Sequence, residues 1–242
     1  GASSMASTYP LARTVLKETV DASLRYHRKG RSSDQSFWGH GIPAMFGALS
    51  LRPGGGEDAA VAEIFGGESL GWWWHTTEDL IDKIDRAFLR RDAGVYAETL
   101  WRLCAGERLP FDAAAEADEI ATAAKQYQAA SGGALDLSAT ASAAQELAAS
   151  IRASGIERLP AVRANHATMA LCRALIPVNY TKLGPFHHDL AVETKPLPGL
   201  MDAARLASLE RADDDWHYLH AALVRERNRV EHALRSAMRM LP

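Results

Sequence analysis

The chain has 242 residues, 47% of them hydrophobic, and a formal charge of −3. That is length for one large domain or two small ones and apolar content for a sizeable core, while so small a charge gives no field to recruit nucleic acid or a membrane surface. The two cysteines, Cys104 and Cys172, lie far apart without metal-type spacing, which argues against a disulfide scaffold and fits a reducing compartment; no apolar run is long enough to span a bilayer.

Gly1 to Ser7 are small and polar, with no apolar stretch of a signal peptide. They read as a cloning scar around Met5, which implies a start inside a longer gene product and leaves localisation open. Apolar residues at Leu11, Val15, Leu16, Val20 and Leu24 follow a helical period over Leu11 to His27, with Pro10 suited to its first turn. Gly30 to Ser33 reads as a basic loop, and Ser33 to His40 as a short helix. Ile42 to Leu49, an apolar run bounded by Gly41 and Pro53, is the one clear strand. Gly54 to Gly71 is a loop with at most a helical turn at Val61 to Phe65. Thr76 with Asp79 approximates a capping box, predicting a helix whose apolar face continues through Ile81, Ile84, Phe88 and Leu89. A break at Gly94 separates it from a second helix over Val95 to Ala105.

Leu109-Pro110-Phe111-Asp112 then opens a different region, rich in Ala, Glu, Arg and Leu. Helices are predicted over Ala113 to Ser131, Ser138 to Ser154 and Leu159 to Leu175. Pro177 to Leu200 reads as a long loop, of the kind that is functional or held by a partner. Met201 to Met240 holds two helices broken near Asp213-Asp214-Asp215. With one strand against six or more helical stretches, the chain is expected to be mainly α and unable to form an enzyme's sheet alone.

Two segments carry chemistry. One is Ser33-Asp34-Gln35-Ser36-Phe37-Trp38-Gly39-His40-Gly41-Ile42-Pro43-Ala44, and the other runs Gly71-Trp72-Trp73-Trp74-His75-Thr76-Thr77-Glu78-Asp79 into Leu80 to Asp85. A neutral imidazole on a rigid mount is a good zinc ligand. His75 sits before the predicted helix start, beside three tryptophans that give it an apolar wall. Spacing alone favours a histidine packed beside tryptophans with no metal. Ser33 and Asp34 read equally as a helix cap or as groups that hydrogen-bond a peptide backbone.

The two segments, in this order, resemble the last two landmarks of the M28-family zinc peptidase catalytic domain. That family has a Ser-Asp-x-x-Phe-Trp-type turn leading to a Gly-Ile-Pro-Ala strand, then an aromatic-His-Thr-x-x-Asp turn. The resemblance implies that His75 is the final ligand of a two-zinc site and that Ser33 and Asp34 lie on its substrate side. Gln35 departs from the His common at its position, and Trp74 stands where folate-hydrolase-like relatives place a Tyr, whose role is not carried over. The remaining ligands and the Glu general base would come from a His-x-Asp strand, a Glu-Glu pair and an Asp before these segments. This chain has no Glu-Glu pair, and its His187-His188-Asp189 falls in a Gly-Pro loop after the ligand His, where it reads as a polar loop. His217 and His220 read as a solvated helix face.

The second half resembles the transferrin-receptor-like helical dimerisation domain of folate-hydrolase relatives, through Leu109 to Asp112, Leu171 to Phe186 and the final helix pair. There the loop before the last helices, here Gly184 to Gly199 with Lys195, folds over the active site. The expectations are therefore a remnant of an α/β zinc-exopeptidase domain over 8–106 and a helical-bundle dimerisation domain over 107–242. With them come a zinc cofactor, a peptide substrate for the full-length parent and a homodimer, with no nucleic-acid or membrane partner. No residue of this chain is assigned a catalytic role. The rival reading is a non-enzymatic interaction module, as the receptor branch of that family illustrates.

Overall fold

The computed structural model describes residues 2–30, 37–46, 49, 73–187, 189 and 195–242. The chain divides into two compact units, one of 1–33, 44–111 and 191–193, the other of 34–43, 112–190 and 194–242. The described residues are mainly helical, and none belongs to a named strand. Ser33 and Asp34 of the predicted short helix, Gly47 and Ala48 of the predicted strand, and the predicted loop 54–71 lie outside the described residues.

In the first unit, α1 (Tyr9–Val20) carries Pro10 in its first turn and buries Leu11, Ala12, Val15 and Leu16 on one stripe. It ends well before His27 because Asp21 turns left-handed at φ 51°. The Asp21 amide then donates to the Lys17 carbonyl, and the Ala22 amide to that of Leu16, closing the end. The first residues are not an appendage: Ala2, Met5 and Ala6 are buried. Ser4 donates to the His27 carbonyl at 3.0 Å and accepts from the Lys29 amide at 2.9 Å. On the other side the Met5 amide reaches the Ala44 carbonyl at 3.2 Å and the Phe46 amide the Ser3 carbonyl at 2.8 Å. Ser3 to Met5 is thus paired on both flanks, parallel to one segment and antiparallel to the other. Among the described residues of the strand predicted from Ile42, only Met45 makes a bridge, and Ile42 itself is exposed.

The second helix, α2 (Arg86–Ala105), differs from expectation at both its start and its middle. Thr76 does not open it. Its hydroxyl accepts from the Glu78 amide in an isolated turn, and a 3-10 turn over Ile81–Lys83 intervenes. The cap is Asp85, whose Oδ1 accepts from the amides of Ala87 and Phe88 at 2.7 and 3.1 Å. Gly94 does not break the helix, since a glycine inside an otherwise favourable helical run costs only about 1 kcal/mol. Val95 is buried with the α1 stripe and Phe46 in this unit's small core.

The second unit is a helical bundle. Asp112 caps α3 (Ala113–Ala130), accepting from the amides of Ala114 and Ala115, so the chain's change of character coincides with a helix start. Alanines at 114, 117, 121 and 124 on α3 and at 141, 144 and 148 on α4 (Ser138–Ala153) are buried. Small side chains let two helix backbones approach closely, and Ile120, Leu147, Leu171 and Leu175 fill the space around them. The connection is pinned by Leu135 and Leu137, both fully buried, and by the Leu137 amide donating to Gln128 Oε1 at 2.7 Å.

Helix α5 (Ala161–Tyr180) passes the predicted stop at Leu175 and takes in Pro177. Its last turn holds because the Thr181 amide and hydroxyl both donate to the Pro177 carbonyl, at 3.1 and 2.7 Å. The final pair is a 3-10 segment, Pro198–Ala207, and the long α6 (Asp214–Arg239). Along α6, Trp216, Leu223, Val230 and Ala237 recur every seven residues and are buried with Leu234. That is one stripe of an otherwise polar helix facing the bundle.

Candidate functional site

His75 sits in the turn Trp73 to Thr76. The Thr76 amide and hydroxyl both donate to the Trp73 carbonyl, at 2.9 and 2.7 Å. The His75 backbone is left-handed, at φ 61°, a region that histidine enters more readily than most side chains. Its ring is exposed and lies parallel to Trp74, with centroids 3.6 Å apart. One imidazole is therefore presented on an aromatic base by a tight, hydrogen-bonded turn. The mount is that turn and not a helix N-terminus.

A zinc site needs three or four protein donors. Among the described residues no group of three or more His, Cys, Asp or Glu side chains is placed to hold a metal ion. These residues offer His75 as one donor and do not complete a site. Ser33 and Asp34 lie outside the described residues, so the structure assigns them no geometry.

The turn that follows them is well defined within the second unit. Trp38 is buried and meets Tyr180 edge-on, with ring centroids 5.7 Å apart. Gly41, at φ 74°, brings its backbone onto α5 so closely that a Cβ there would lie 2.3 Å from Arg173 Cα. Only glycine satisfies both the torsion and the approach. At Gly39 a Cβ would lie 2.7 Å from Pro185 Cα. His40 and the exposed Phe186 touch edge-on at 5.8 Å. The described turn Phe37–Gly41 is thus mounted on α5.

That end of α5 is held by a buried polar cluster with no signature in the sequence. Asn179 Nδ2 donates to Glu116 at 2.7 Å and to Glu119 at 2.8 Å, and the Tyr180 hydroxyl lies 3.4 Å from Glu119. Glu116 and Asn179 are fully buried. Nearby Cys172 has its thiol pushed up to about 12, first by burial and then by the charge of Glu116, which makes it a poor nucleophile. Glu116 and Glu119 belong to an ordinary charged helical pattern, so only the tertiary fold reveals their burial.

The remaining candidates have other occupations. Asp189 accepts from the amides of Lys182 and Leu183 at 2.6 and 2.9 Å, so it caps a turn, while His187 is exposed. His220 stacks on Trp216 at 4.7 Å and His217 meets the same ring edge-on at 5.3 Å. Lys195 is exposed beside Pro196, whose carbonyl accepts from the Tyr127 hydroxyl at 2.7 Å. A surface groove of about 560 Å³ in the first unit is lined by Pro10, Leu11, Trp101, Arg102, Arg108 and Pro110 among others, and by none of the sequence-predicted site residues. No helix among the described residues is long and apolar enough to cross a membrane.

No family model matches this chain, and neither the curated proteins nor the solved structures contain a significant match to it.

Proposed function

We propose that this chain is a portion of a zinc-dependent exopeptidase of the M28 type. It supplies one metal ligand, His75, part of the substrate rim near Ser33 and Asp34, and a helical unit that pairs two subunits. The observation that carries this reading is the presentation of His75. An exposed imidazole stands on Trp74 in a left-handed turn, within the aromatic-His-Thr-x-x-Asp segment that resembles the family's ligand turn.

Residues 8–106 are read as the remnant of the α/β catalytic domain. Bound zinc would supply a water activated as nucleophile. The other ligands and the general base are left to residues beyond those described, and no catalytic step is assigned to this chain's own side chains. For the helical unit the expected partner is a second copy in a two-fold dimer, the commonest closed assembly. Exposed Val162 on α5 and Tyr218 on α6 are apolar surface available to it.

The test uses the chain as it stands. Zinc titration followed by thermal unfolding should give no stabilisation that His75→Ala removes, and aminopeptidase and carboxypeptidase assays should be blank. Robust hydrolysis by this chain alone would overturn the reading of it as an incomplete site. In light scattering over a concentration series, a monodisperse dimer supports the pairing role, and a clean monomer at high concentration counts against it.

A further inference from the structure

We draw no further inference here: the strongest candidate, the apolar surface patch of α2 and the turn before it, where Leu80, Ile81, Ile84, Leu89 and Leu100 are exposed, carries nothing because nothing in the structure shows what covers it.

Discussion

Replacing Gly41 with alanine should loosen the Phe37–Gly41 turn from α5, and two separable costs set the size of the effect. A side chain at φ 74° pays roughly 1–2 kcal/mol for the left-handed backbone. The new Cβ also meets Arg173 Cα at 2.3 Å, Arg173 N at 2.9 Å and the Cys172 carbonyl at 2.9 Å. All three are backbone atoms of a helix and cannot rotate away, so the turn itself must shift. Overpacking of this kind costs about 1–3 kcal/mol. If the turn instead lifts off, Trp38 loses burial of roughly 150–250 Å², worth about 4–6 kcal/mol at roughly 25 cal/mol/Å². Shifting in place is the cheaper route, so Gly41→Ala should destabilise the second unit by about 2–5 kcal/mol. Gly133→Ala is the control: it has φ 80° in the same unit with nothing within 4 Å of its Cβ position, so it pays the backbone term alone. Urea unfolding followed by circular dichroism reads both. Equal losses in the two variants would refute the close approach of the turn to α5.

Other expectations follow from single contacts. Asp85→Ala should cost about 0.5–2 kcal/mol and shorten α2, whereas Thr76→Ala should leave its helicity unchanged; the reverse result would restore Thr76 as the helix start. Gly94→Ala should stabilise α2 by roughly 0.5–1 kcal/mol, because its Cβ would meet only Thr19 Cγ2 at an ordinary 3.9 Å; a loss of stability would mean the helices pack tighter there. Native chain should show one thiol reactive to a disulfide reagent, exposed Cys104, with Cys172 appearing only in denaturant. The Cys172 shift also has a sign: the folded thiol keeps its proton up to about 12, against 9.0 for an ordinary thiol. Its contribution to stability is complete below the lower value and lost as pH rises between the two. Cys172→Ala should flatten that alkaline decline, and an unchanged slope would show that other groups cause it.

The helical half was legible because its signals are local. Asp112 announces its helix by capping it, and the alanine-rich stretches and the seven-residue spacing from Trp216 to Ala237 carry their own period. Pro177 misled because its carbonyl, not its missing amide, decides the last turn, through Thr181. The first unit was read less well because its pairing is non-local. Ser3 to Met5 look like an appendage until His27 and Ala44 are brought beside them, which no periodicity within seven mostly small residues can report. Thr76 carries a cap signature, but its hydroxyl closes an isolated turn, and the helix is capped by Asp85 instead. At the candidate site, the motif around His75 was visible as residues. Its left-handed presentation and the mounting of Phe37–Gly41 on α5 were not, because Gly41 reads as an ordinary strand-preceding glycine until Arg173 is placed against it.

The central claim is that His75 is a ligand of a zinc exopeptidase centre. The most direct measurement compares zinc content and exopeptidase activity of the full-length gene product with and without His75→Ala, alongside circular dichroism to show that both fold. The account predicts that the variant stays folded, loses bound zinc and falls in kcat by about a hundredfold or more, as loss of a ligand that fixes the metal requires. Equal zinc content and equal activity in the two proteins would contradict it.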